Sequence, residues 1–324
     1  MRKSHSVGLY LTQIQTDMKR RAFVCFFFLV VMNAMGQKKP KLVVGIIVDQ
    51  MRWDYLHRFN DRYGSGGINR LIKDGFSFEN CFINYCPAVT STGHASLATG
   101  TVPAIHGVIG NDWQDQESGL PVYCTRDTSV HTLGSLSGCG QESALRLLSP
   151  TIGEELRLAN NFRSKVFSVS IKDRGAILTC GSGCNAAFWY DDSTGRWISG
   201  SSYLDRLPDW AERYNSGRKA DSLLSIPWNL LYPSKTYHNS TEDSVVWERS
   251  LPGEEKPIFP HHFKRPGKDD YSLLPYSPNG IYYTFDFCSA LIENENLGQA
   301  DHTDMLNISI SPTDVAGQIG RAHV

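Results

Sequence analysis

The sequence has no surplus of charge: 32 Lys and Arg stand against 33 Asp and Glu, a formal net charge of −1. No long-range field is present to steer a polyanion, so nucleic acid is not an expected partner. Internal repeats and low-complexity tracts are also missing, which leaves no reason to expect disorder. The longest apolar run, from Ala22 to Met32, falls short of the roughly 20 residues that a membrane-spanning helix needs. Cysteine at zinc-clip spacing is lacking too. Cys180-Gly-Ser-Gly-Cys184 has no second Cys or His pair to complete a tetrahedral site. What remains is an ordinary globular composition, 41% hydrophobic and 20% charged over 324 residues, large enough for a sizeable α/β domain.

The run Lys41-Leu-Val-Val-Gly-Ile-Ile-Val-Asp49 is short, apolar and rich in β-branched residues. It reads as a strand buried on both faces of a parallel sheet. In such sheets ligands bind beyond the carboxyl ends of the strands. Asp49 at that end is then a catalytic group or metal ligand, or else the N-cap of a following helix. The stretch Cys86-Pro-Ala-Val-Thr-Ser-Thr-Gly-His-Ala-Ser-Leu-Ala-Thr-Gly100 reads as a loop entering a short helix, with Thr90 at or just before its N-terminus. Backbone N–H groups and the helix dipole favour a phosphate there. A hydroxyl so placed becomes a nucleophile only if a base or a metal ion lowers its pKa; otherwise Thr90 is a cap.

Downstream, Thr151 to Ala159 reads as a helix, and Ser164 to Ile171 as a strand with Lys172 and Arg174 just past it. Two residues apart in extended chain, both side chains would face one ligand. Ala187 to Ile198 reads as a hairpin turning at Asp192-Ser-Thr-Gly195. Residues 201–280, rich in Pro, Ser, Tyr and Trp, read as an insertion capping the active-site face. Ile281 to Asn294 returns to helix, and Asp304 to Ser311 to a core strand delivering Asp314. The fold expected is α/β: a mostly parallel central sheet with helices on both faces, plus the cap.

The N-terminus has the form of a signal peptide over residues 1–36. Met18-Lys-Arg-Arg21 is its basic region and Ala34-Met-Gly36 its small-residue cleavage site, with the true start at Met18. Cys25 lies within the apolar region, so no stable membrane anchor is expected. The mature chain would begin near Gln37 in an oxidising compartment, periplasmic or secreted. Cys81 with Cys86, and Cys180 with Cys184, are then candidate disulfides. His94 and His106 read as packing or supporting groups, and His261 and His262 as surface residues.

Taken in order, Val48-Asp49-Gln50-Met51-Arg52, Thr90-x-x-Gly93-His94-Ala95, His106-Gly-Val-Ile-Gly-Asn111-Asp-Trp113, Ser170-Ile-Lys172-Asp-Arg174-Gly175 and Thr303 through Asp314 resemble the alkaline phosphatase superfamily. The likeness is to exported bacterial phosphatases with a threonine nucleophile, a branch related to the type I phosphodiesterases and nucleotide pyrophosphatases. It spans nearly all of the mature chain. The resemblance implies that Thr90 is the nucleophile and becomes transiently phosphorylated. Asp49 and Thr90 would bind one zinc of a two-zinc pair and Asp314 the other. Asn111, Lys172 and Arg174 would contact the phosphoryl group. Two metals about 4 Å apart can stabilise both the attacking and leaving oxygens of an in-line displacement, and a Lys, an Arg and an amide suit a dianion's three oxygens. The phosphodiesterase branch is not expected to carry the Lys-x-Arg pair, so small-molecule phosphate monoesters are the expected substrates. A nucleotide pyrophosphatase/phosphodiesterase is the alternative. Cys86-Pro-Ala-Val-Thr90 superficially resembles the sulfatase Cys-x-Pro-x-Arg motif, but its Pro and Arg positions do not match.

The pattern departs from the family at Asp314-Val-Ala-Gly-Gln318, where a His is expected at 318, and residues 319–324 read as a sequencing artefact. The expectation is a fragment covering the N-terminal part of the catalytic domain (residues 37–318). Alone it would be an inactive remnant or binding protein lacking further zinc ligands.

Overall fold

The computed structural model describes residues 39–319 apart from 247 and 264–269. The expected leader, and the 319–324 tail beyond its first residue, lie outside the described residues, as does the side chain of Gln318. From Lys41 onward the contacts gather into one unit.

The chain opens with β1 (Leu42–Val48), then helices α1 (Tyr55–Arg58), α2 (Gly67–Asp74), α3 (Thr90–Thr99) and α4 (Pro103–His106). A small hairpin, β2 (Asp112–Gln114) with β3 (Pro121–Tyr123), precedes β4 (Thr132–Leu133), α5 (Ile152–Ala159), β5 (Val166–Ser170) and α6 (Asp173–Cys180). A second hairpin, β6 (Ala186–Asp191) with β7 (Arg196–Gly200), leads to α7 (Asp209–Ser216), α8 (Lys219–Leu224), α9 (Pro278–Glu295), β8 (Asp304–Ile310) and α10 (Pro312–Ile319). The sheet order is β1-β8-β5-β6-β7-β4. The first four strands are parallel, and β7 and β4 continue antiparallel.

Period-two alternation fills both faces. On one, Val166, Ala187, Trp189, Ile198 and Met305 pack with Ala176, Ile177 and Cys180 of α6. On the other, Phe167, Phe188, Trp197, Leu306 and Ile308 pack with Tyr283, Phe287 and Leu291 of α9, where Trp197 stacks on Phe287 at 4.8 Å. Within 201–280, α7 and α8 join this second face through Trp210, Ala220 and Leu224. The mostly parallel α/β sheet with helices on both faces is as the sequence implied. Among the described residues no helix is long and apolar enough to cross a membrane.

Local chemistry sets the helix ends. Thr151 accepts from the Glu154 N–H while Glu154 accepts from the Thr151 N–H, a reciprocal cap that starts α5. At α3 the Thr92 hydroxyl accepts from the Val89 N–H, and Gly100, at φ 67°, ends the helix in the left-handed conformation that glycine adopts without strain.

Several expectations need correcting. Strand β1 is the edge of the described sheet, paired with β8 alone; Val43, Val44 and Ile46 are exposed, whereas β5, β6 and β8 are fully buried. An apolar run reports strand propensity, and position in the sheet is set by tertiary pairing. Cys180 and Cys184 form a disulfide, but Cys81 and Cys86 are free and exposed. His261 is buried, not on the surface. Its backbone bridges Trp228, its ring packs against Trp228 and Phe259, and its Nδ1 pairs with Glu254 at 2.9 Å.

Helix α6 lies close on the sheet at Gly175. A Cβ there would meet the Ser170 hydroxyl at 2.6 Å and the Ser309 hydroxyl at 2.9 Å. Gly175→Ala should therefore cost about 1–3 kcal/mol by overpacking, read as a lower urea midpoint. An unchanged midpoint would mean that α6 is free to lift off the sheet.

Candidate active site

Three neighbouring parallel strands deliver three charged groups to one end of the sheet. Asp49 follows β1 and extends its ladder by donating its N–H to the Ile310 carbonyl at 2.9 Å. Asp314 lies in the first turn of α10, just past β8. Lys172 lies two residues past β5 and is the N-cap of α6. This is the carboxyl end of the parallel strands, the edge at which α/β sheets bind ligands. Thr90, the first residue of α3 and 8% exposed, reaches the same point from the adjacent helix.

The four groups meet. The Thr90 hydroxyl donates to Asp49 Oδ2 at 3.0 Å. The Lys172 ammonium donates to the same oxygen at 2.7 Å, lies 3.4 Å from Thr90 Oγ1, and also bonds Asp314 Oδ2. Burial alone would raise the pKa of Asp49. Lys172, by charge and hydrogen bond, outweighs that, with the Thr90 hydroxyl adding to it, and the carboxyl is held below its usual range.

His94 supports this corner from behind. The Thr90 carbonyl can only accept, so His94 Nδ1 donates to it at 2.7 Å, leaving Nε2 to accept from the Ser309 hydroxyl at 2.7 Å. Burial lowers its pKa, consistent with a neutral ring. His106 likewise serves structure, accepting from the Val108 N–H and donating to Ser96.

Asn111 Oδ1 accepts from the Ser91 N–H at 3.1 Å, in the first turn of α3, which leaves its Nδ2 as the donor available to a ligand. Arg174 does not run alongside Lys172 as extended chain would have it, because α6 begins between them at Asp173. Its guanidinium donates to the Tyr123 hydroxyl at 2.9 Å, and that hydroxyl donates to Asp173 Oδ1 at 2.8 Å. Burial and Asp173 push the pKa of Tyr123 up, keeping it protonated. Arg174 Nε is buried with no partner. Its guanidinium also lies 3.6 Å from Asp173 Oδ1, and Arg157 Nε and Arg196 Nε share the unpartnered state. Tyr123 and Asp173 were not foreseen. Asp173 sits within the Lys-x-Arg motif, but Tyr123, at the end of β3, has no sequence signal.

Asp49, Thr90 and Asp314 turn hard oxygen donors toward one cation, Lys172, so their chemistry fits a metal site. Their number does not complete one: a zinc site takes three or four protein ligands per ion. Among the described residues, no group of three His, Cys, Asp or Glu side chains at ligand spacing includes Asp49 or Asp314.

A family model described as type I phosphodiesterase / nucleotide pyrophosphatase matches residues 43–318. Alkaline phosphatase PhoV of Synechococcus elongatus is 50% identical over 279 residues, covering 86% of this chain and 51% of that protein. A Myroides odoratus protein named calcium-transporting ATPase is 44% identical over 299 residues, covering 91% and 55%. Among solved structures, wild-type alkaline phosphatase PafA aligns with a TM-score of 0.84 at 42% identity, covering 88% of this chain and 55% of that one. The chain spans about half the length of the curated relatives it matches. The matched region runs from the first strand of the sheet to the helix carrying Asp314 and contains every residue placed in the site, and the chain belongs to the type I phosphodiesterase / nucleotide pyrophosphatase family.

Proposed function

We propose that this chain carries the nucleophile-bearing part of a metal-dependent phosphate monoesterase that works through a phospho-Thr90 intermediate. The observation that carries the reading is the meeting of Thr90 Oγ1, Asp49, Asp314 and Lys172 at the carboxyl end of β1, β8 and β5. Metal ions held by Asp49, Thr90 and Asp314, zinc in our reading, would lower the pKa of the Thr90 hydroxyl and polarise the phosphoryl group. Thr90 Oγ1 then attacks phosphorus, the ester oxygen leaves as the alcohol, and water releases phosphate from Thr90. The first-turn position of Thr90 sets the phosphoryl group against the N-terminus of α3. Asn111 Nδ2, Lys172 and Arg174 bind its three oxygens, and Tyr123 with Asp173 fixes the guanidinium plane. The names of the relatives support phosphate-ester hydrolysis.

Export to the periplasm or beyond accords with the leader motif and with the Cys180–Cys184 disulfide. Ser272, Pro275 and Tyr276 line the cavity beside Lys172, which supports a capping role for that end of the 201–280 segment.

The second reading is phosphodiester hydrolysis, favoured by the family to which the chain belongs. The protein expressed from its complete gene should turn over phenyl phosphate with a far higher kcat/KM than the methyl phenyl diester. A preference for the diester would replace the monoesterase reading with the second one. Arg174→Ala should weaken kcat/KM more on the monoester, by about 1.5–3 kcal/mol, because a charge-assisted bond to a dianion is lost. Equal losses on both substrates would reduce Arg174 to a structural role.

A further inference from the structure

Arg174 is the first link of a hydrogen-bond chain that leads from the phosphoryl site into buried residues. Its guanidinium donates to Tyr123, and Tyr123 donates to Asp173 Oδ1. The other carboxylate oxygen, Asp173 Oδ2, accepts from the Thr125 hydroxyl at 3.3 Å. Beyond Thr125 stands Glu142. The two segments run as an antiparallel pair: Ser143 donates its N–H to the Thr125 carbonyl at 2.8 Å, and Arg126 bridges Glu142. Thr125 is fully buried and Glu142 is 2% exposed. One oxygen of the Glu142 carboxyl takes the Arg126 guanidinium at 3.1 Å, and the Thr125 hydroxyl acts on the same carboxyl by hydrogen bond.

Thr125 has one hydroxyl hydrogen and two carboxyl neighbours. While Glu142 is an acid it donates to the Thr125 oxygen, and the hydroxyl hydrogen serves Asp173. Once Glu142 is a carboxylate, the two carboxylates compete for that hydrogen. Asp173 then draws harder on Tyr123 and on Arg174, whose guanidinium lies 3.6 Å from Asp173 Oδ1. The charges that face Glu142 are of mixed sign. Arg126 and Arg146 favour its ionised form and Asp173 opposes it. The neighbouring Cys124 thiol, pushed up to about 12 by burial, stays neutral. Gly200 of β7, whose backbone lies against that of Glu142, brings no charge. Burial, with Asp173 adding to it, pushes the Glu142 carboxyl up to about 7, so both forms are populated near neutrality.

We propose that Glu142 is a positioning residue for Arg174, acting through Thr125, Asp173 and Tyr123. This role rests on the reading in which Arg174 binds the phosphoryl group, and it makes that contact depend on a buried proton. Protonated Glu142 leaves Arg174 free for the ligand, so phosphate binding is strongest on the acid side of neutrality and weakens as Glu142 ionises. The test is calorimetric titration of inorganic phosphate into protein expressed from the complete gene, from about pH 6 to about pH 8.5. Wild type is compared with Glu142→Gln, whose amide donates to Thr125 as the acid does, and the ratio of affinities cancels phosphate's own ionisation. Wild-type affinity relative to Glu142→Gln should fall about fivefold over that range, part of what a hydrogen bond to a charged group supplies. A ratio that does not change with pH, at unity or uniformly displaced, overturns the proposal and leaves Glu142 a purely structural residue. Thr125→Val cuts the same chain and serves if Glu142→Gln does not fold. Against it, wild-type affinity should be higher at low pH and converge on the variant's at high pH, and parallel profiles overturn the proposal equally. No ester turnover enters this readout. A pH-dependent ratio in a protein that hydrolyses no monoester would remove only the enzymatic reading, and monoester turnover with a flat ratio would remove only this role.

Discussion

The ammonium of Lys172 between Asp49 and Asp314 is the contact on which this site depends. One cation joins the ends of β1, β5 and β8, and Thr90 enters the same group by its bond to Asp49. Each side chain is only about one-tenth exposed. Two carboxylates that close and that poorly solvated would repel strongly without positive charge between them, and removing the cation alone should destabilise far more than the net worth of the pair suggests. A fold built for stability would fill this space with apolar side chains. Retaining three charges and a hydroxyl here is intelligible as provision for a charged ligand.

The surroundings hold that cluster in place. His94 is fixed at both ring nitrogens, joining the first turn of α3 to Ser309 of β8. The close approach of α6 at Gly175 sets Lys172 and Arg174 at its first turn. The hairpin of β2 and β3 carries Tyr123, and Asn111 precedes it, with the Cys124 N–H donating to the Asn111 carbonyl at 2.9 Å. The groups proposed to bind phosphoryl oxygens therefore rest on helices and paired strands, the arrangement that keeps a site preorganised.

Much of this was legible in the sequence because its signals are local. The β5 and β8 runs, the helix from Thr151 and the Asp192–Gly195 turn are written in consecutive residues. That Asp49, Thr90, Lys172 and Asp314 belong together was implied by the resemblance of their motifs to a known family; the strand-end rule by itself pointed only to Asp49. What was not legible depends on long-range pairing. The edge position of β1 follows from strand order, the burial of His261 from a bridge to Trp228, and Tyr123's hold on Arg174 from two segments about fifty residues apart. The extended reading of Lys172 and Arg174 missed the helix start at Asp173, since Asp in a first turn is a weak signal beside an alternating strand.

The central claim is that Thr90 Oγ1 is the nucleophile. Protein from the complete gene should be mixed with a fast-leaving aryl phosphate, quenched in acid within the first turnover and digested. The peptide containing Thr90 should carry one phosphoryl group, and Thr90→Ala should abolish both that label and several powers of ten in kcat. Label on a different residue, or steady turnover surviving in Thr90→Ala, would contradict the account.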